Sequence, residues 1–203
     1  MFKPNMAYLF LMAVIFLVTA CSSNQAEAPA PSSEPPTTAV TDYNSTAENV
    51  FSLYEREDMS TEDKVTNMLA QLEGMDWTEY NRLSDGKTLE TLELLYTQRS
   101  LIKPEHYRSL FLATTNLDGA SAEQYTAIAG ELFTRDTEGV VRALADLSDN
   151  DIRQSVVSSI AYHLGYQDVT QVKQELEQWQ TNKELDDPEK NVIASLIAAL
   201  NNP

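Results

Sequence analysis

The chain has 203 residues, 42% of them hydrophobic and 22% charged, and its 14 Lys and Arg stand against 31 Asp and Glu for a net charge of −17. That excess of acid, with the basic residues scattered singly, excludes binding to nucleic acid or to anionic headgroups, because phosphate recognition needs clustered Lys and Arg. The single cysteine excludes an intrachain disulfide, so stability has to come from a hydrophobic core.

The chain opens with Lys3 and then an apolar run from Ala7 to Ala20. The run is too short to cross a bilayer as a helix, which takes about 20 residues. Its length and its small-residue end are those of a secretory signal peptide, predicted for residues 1–20. The signal closes on Val18-Thr19-Ala20-Cys21, with a branched apolar residue three before the cysteine and a small one directly before it. This resembles the lipobox of bacterial lipoproteins. The resemblance implies signal cleavage between Ala20 and Cys21, a diacylglycerol on the Cys21 thiol, and an acyl chain such as palmitate on the new amine. The membrane is then a partner through the lipid on Cys21. One myristoyl-length chain binds a bilayer only marginally, at about 0.8 kcal/mol per buried methylene, whereas two or three chains on one residue give a lasting anchor. Ser22 follows, where lipoproteins kept at the inner membrane tend to carry Asp, so the resemblance points to the outer membrane, facing the periplasm. In a Gram-positive cell the same anchor lies on the outer face of the cell membrane.

Residues 21–44 read as a lipidated, disordered linker rich in Ser, Pro and Ala, because Ala28-Pro29-Ala30-Pro31 and Ser32–Thr38 cannot form a packed element. Residues 45–203 form an acidic domain of amphipathic helices, each opened by a cap. Ser45 with Glu48 is a capping box ahead of Val50, Phe51 and Tyr54. Ser60 with Asp63 precedes Val65, Met68, Leu69 and Leu72, and Gly74 is placed to end that helix. Asp76 with Glu79 opens a short helix with Trp77, Tyr80 and Leu83. Leu89, Leu92, Leu95 and Tyr96 follow, stopped by Lys103-Pro104. Pro104 fits the first turn of the next helix, with Tyr107, Leu110 and Phe111 on one face. Ser121 with Gln124 opens a helix carrying Tyr125, Ile128, Leu132 and Phe133. Asp136 caps one with Val140, Val141, Leu144 and Leu147. Helices over Ile152–Leu164, Val169–Trp179 and Val192–Leu200 complete the series, and no stretch alternates as a strand would.

The connectors Leu83-Ser84-Asp85, Leu117-Asp118-Gly119, Leu147-Ser148-Asp149 and Leu185-Asp186-Asp187 recur roughly every 30–40 residues, a period typical of stacked helical hairpins. Residues 137–165 are the clearest unit: Val140-Val141, Leu144 and Leu147, then Asp149 and Ile152-Arg153, then Val156, Ile160 and Leu164-Gly165. This resembles a HEAT repeat. The resemblance implies structural roles for Asp149 and Arg153 in tying adjacent repeats together. It does not extend over residues 45–116. The expected fold is therefore all-α: antiparallel helical hairpins stacked as a short HEAT-like α-solenoid, or an irregular helical bundle, after the linker.

Catalytic chemistry is not expected. His106 and His163 stand alone, without a second histidine at helical spacing to share a metal. Gly86-Lys87-Thr88 shares its letters with the end of a phosphate-binding loop, but Asn81 stands where the first glycine belongs. Asp149-Asn150-Asp151 lacks the Gly and Glu of a calcium loop. No cofactor, metal or catalytic residue is assigned. The expected function is a membrane-anchored, non-catalytic module that binds a protein or peptide at the cell envelope. The alternatives are a constitutive structural or assembly lipoprotein of the envelope and a hydrolase with an unrecognised site. Trp77, Tyr166 and Trp179 are the aromatics free to mark a contact surface.

Overall fold

The structure, a computed structural model, describes residues 44–201. The expected signal peptide and lipobox, Cys21 included, lie outside the described residues, as does nearly all of the linker. Among the described residues there are ten α-helices and no strand, so the protein is all-α. In chain order they are α1 (Thr46–Tyr54), α2 (Thr61–Ala70), α3 (Trp77–Leu83), α4 (Thr88–Thr97), α5 (Pro104–Leu112), α6 (Gly119–Arg135), α7 (Thr137–Ala145), α8 (Asn150–Leu164), α9 (Val169–Thr181) and α10 (Asp187–Ala199). A 3-10 turn, Arg99–Leu101, joins α4 to α5.

Most helices begin where a short polar side chain takes up backbone N–H groups that have no partner within the helix. At α1 the exchange is reciprocal: Glu48 N–H donates to Ser45 Oγ at 3.2 Å, and Ser45 N–H donates to Glu48 Oε2 at 2.9 Å. Ser60 caps α2, Asp76 caps α3, Asp136 caps α7, Asp149 caps α8, Asp168 caps α9 and Asp186 caps α10. A good share of the acidity thus serves helix ends, where a negative charge also favours the helix dipole.

The end of α2 and the start of α6 differ from the sequence reading. Helix α2 ends at Ala70, so Leu72 is buried from the following turn, and Gly74 serves that turn at φ +78°. Helix α6 begins at Gly119, not at Ser121. Gly119 adopts φ +47°, a conformation that costs a side-chain-bearing residue energy, and Ser121 falls inside the first turn. The similar connectors also part ways in geometry. Asp149 and Asp186 are true caps, Asp118 stands at the cap position without a side-chain bond, and Asp85 turns left-handed at φ +53°.

The helices stack in alternation. Helices α4, α6, α8 and α10 form one row, each on the next, and α2, α5 and α7 form a second row against it; α1 and α3 close the N-terminal end. Within the first row α6, α8 and α10 run in the same direction. Gly130 meets His163 on one side of α8, where Phe133 and Leu164, near the C-terminal ends of α6 and α8, also line one hollow, while Gln154 meets Ser195 on the other. One continuous hydrophobic core, from Ala47 to Leu200, fills the space between the rows. Helices α6 and α8 come close at Gly130, where any added Cβ would collide with the Cβ, Cγ and Cδ2 of His163. Helix α9 departs from the pattern: α10, rather than α9, packs along α7, and α9 leans mainly on α10.

Candidate functional site

The residues that sequence reading singled out are mostly structural. Asp149 accepts from the backbone N–H groups of Asp151 and Ile152 at 2.9 and 3.1 Å. Arg153 donates to the Leu147 carbonyl at 3.0 Å and to Asn150 Oδ1 at 2.9 Å. The hydrogen bonds of both therefore stay within the α7–α8 connector, which they fasten. His106 Nδ1 accepts from Lys103 N–H at 3.1 Å and so closes the first turn of α5, and His163 fills the notch left by Gly130. At Gly86-Lys87-Thr88 the glycine turns at φ +92°, Lys87 pairs with Glu55 at 2.9 Å, and the Thr88 hydroxyl donates to Asn81 Oδ1. These letters build a turn. Among the described residues no cluster of His, Cys, Asp and Glu is arranged to hold a metal, and no helix is long and apolar enough to cross a membrane.

The aromatics divide. Trp77 is buried, and its indole N–H donates to the Ala113 carbonyl at 2.6 Å. Tyr80 stacks edge-on against it and shares a 2.6 Å hydrogen bond with Thr91. Burial, the main cause, pushes the Tyr80 phenol well above its ordinary range, as it does that of Tyr125. These rings are core. So are Thr88 and Thr91, two buried polar side chains that the sequence reading passed over in favour of Leu89. Tyr162 and Tyr166, by contrast, are the exposed large hydrophobic side chains among the described residues, at 47% and 77%. Trp179 is half-buried.

Trp179 lines a largely apolar hollow on the surface. Along α9, Val172, Leu176 and Trp179 fall on one stripe at helical spacing. They face Phe133 at the end of α6 and Leu164 at the end of α8 across a groove of about 240 Å³. Thr134, Thr137, Gln167 and Glu175 form its polar edge. The groove exists because α9 does not seat on α7, so the apolar stripe of α9 is only partly covered. Sequence carried half of this signal, the i, i+4, i+7 stripe at 172, 176 and 179. The other half, the failure of α7 to receive it, depends on where α10 goes. Glu175 is the one charged side chain of the lining, and its Oε1 accepts from Gln171 at 2.7 Å.

A second hollow, lined by Thr78, Asn81, Thr88, Asn116, Asp118 and Ser121, is polar. Its amides are engaged in closing the junction of α3, α4 and α6: Asn81 accepts from Thr88, and Asn116 Nδ2 donates to Asp76 Oδ1 at 3.1 Å. That donor, followed by the backbone N–H of Glu79, holds the Asp76 carboxyl below its ordinary range. No protein-family model, curated protein or solved structure matches the chain.

Proposed function

We propose that this chain is a membrane-tethered, non-catalytic binding module of the bacterial cell envelope, whose helical domain holds a short segment of a protein partner in the groove beside α9. The tether rests on Val18-Thr19-Ala20-Cys21, and Ser22 favours the outer membrane. The observation that carries the binding reading is the groove itself. At about 240 Å³ it is smaller than the roughly 300–1,000 Å³ of sites that enclose a whole small ligand, and it accommodates one or two large apolar side chains. An anchor side chain seated in a desolvated hollow, with a polar rim around it, is how a peptide segment gains most of its affinity. Half-buried Trp179 supplies an aromatic wall of the kind enriched at such contacts.

The test uses the full chain in cells with a photoreactive residue at Gln167, on the groove edge, and a control at Gln71, an exposed position that follows α2. The expected result is a crosslink from position 167 to one short segment of one partner, lost with Val172→Glu and absent from position 71. Equal crosslinking from both positions, or none from 167, refutes the groove. Cys21→Ser tests the tether separately: the chain should leave the membrane fraction and lose the acyl mass on its mature N-terminus.

A further inference from the structure

Helix α8 from Gln154 onward and α10 from Asn191 onward present a surface almost free of charge. Between Gln154 and Tyr166 there is no acidic or basic residue apart from His163, and from Asn191 to the end of the chain there is none. Between Gly119 and Gly130 only Glu123 is charged. Burial does not account for this, because Ser155, Ser158, Ala194 and Ala198 are exposed. On other helices Glu48, Glu62, Asp63, Glu90, Glu93, Glu105, Glu138, Glu175 and Glu177 hold exposed positions. The surface is continuous: Thr126 of α6, Ser155, Ser158 and Tyr162 of α8, and Ala199 of α10 border one shallow depression. Tyr162 and Tyr166 stand at its edge as a pair, ring centroids 5.4 Å apart and edge to face.

We propose that this face is where two copies of the chain associate. Charge selects the occupant. Two chains of net charge −17 repel wherever their acidic surfaces meet, and a basic partner would be drawn to those surfaces instead. A face free of Asp, Glu, Lys and Arg along α8 from Gln154 and α10 from Asn191, with only Glu123 on α6 before Gly130, is complementary to itself. The tyrosine pair is self-complementary as well. The Tyr166 hydroxyl donates to the Tyr162 oxygen at 2.8 Å, which leaves the Tyr162 proton free to donate outward and the Tyr166 oxygen free to accept. Across a twofold axis, Tyr162 of each copy donates to Tyr166 of the other, and four hydroxyls close into a ring. Twofold dimers require this kind of reciprocal patch, and exposed tyrosines are favoured contact residues. This inference is independent of the groove beside α9, which is lined by other residues.

The experiment co-expresses two differently tagged copies of the full chain, one carrying a photoreactive residue at Ser158. The expected product has twice the mass of the chain and contains both tags. It falls at least tenfold with Tyr162→Glu or with Tyr166→Glu, because each puts two negative charges at the axis. Tyr162→Phe, which keeps the ring and removes the donor, lowers it severalfold without abolishing it. Both tyrosines are exposed, so these variants keep the fold, and unchanged circular dichroism of the purified chain verifies that. Monomer alone, or a crosslink from Ser158 to a different protein, overturns the proposal.

Discussion

Helices α8 and α9 begin alike and end up held very differently. Asp149 and Asp168 each take two backbone N–H groups at 2.9–3.2 Å, and the two helices are 15 and 13 residues long. Yet α8 buries Val156, Val157, Ile160, Ala161 and Leu164, whereas α9 buries only Val172 and Leu176. The difference lies in the width of the apolar stripe. Residues of α8 at i, i+1, i+4 and i+5 cover two neighbours, α6 and α10, while the single stripe of α9 covers one. A cap decides where a helix starts; the number of neighbours it can cover decides how firmly it is held. The groove is the visible result, since a helix with one neighbour leaves its own stripe part open.

The sharpest way to break this contrast is at Gly130. A Gly130→Ala methyl meets the rigid inner atoms of His163, so the two helices must separate, and the expected loss is about 3 kcal/mol or more in urea unfolding. Gly130→Ala with His163→Ala should recover part of it, which marks the clash as the cause. Next in size is a pair of truncations. Ile160→Ala, in the core of the α8 packing, is expected to cost about 2–5 kcal/mol. Leu176→Ala, beside an open hollow, should fall at or below the low end of that range, and its amide exchange should quicken on α9 alone. Smaller still are the caps. Asp149→Ala should lower global stability by about 1 kcal/mol. Asp168→Ala should leave the urea midpoint nearly unchanged and appear as faster exchange over Val169–Thr181. An equal midpoint shift for both would mean that α9 is as firmly built in as α8.

The smallest effect carries the comparison to a third capped helix, α3, and to pH. The amide of Asn116 and the N–H of Glu79 depress the Asp76 carboxyl in the folded state. A depressed carboxyl stabilises the fold above its ordinary titration range, about 3.9, and that contribution is lost as pH falls through the folded value. Asp76→Ala should therefore lower the urea midpoint at pH 7, and the gap to the parent chain should narrow as the pH falls below the ordinary carboxylate range.

The parts legible in the sequence were those written within three or four residues. Ser45 and Glu48, Ser60, Asp76, Asp136 and Asp149 each announced a helix start, and the Tyr107–Phe111 face was plain from its period. What depended on distant partners was hidden. Nothing near Trp77 shows that its indole reaches the Ala113 carbonyl, or near Gly130 that a histidine more than thirty residues away would need its missing side chain. Nothing near Thr91 marks it as buried, because its partner is Tyr80 of the preceding helix. At Ser121 local chemistry misled, because Gly119 can adopt a backbone that starts the helix earlier. The α9 groove was half legible for the same reason: its stripe is local, and its vacancy is set by α10.

The alternating rows also bear on how the chain comes to be folded. Among the described residues no side-chain hydrogen bond joins positions more than 45 residues apart, the longest being Lys183 to Glu138. Every helix finds its neighbours within a short stretch of sequence, so little loop entropy is lost before a contact is made. Folding can then advance along the chain, each new helix docking on those already placed, with no need to wait for the far end. Synthesis from the N-terminus would deliver the helices in that order, with α10 arriving last to cover α7 and α8.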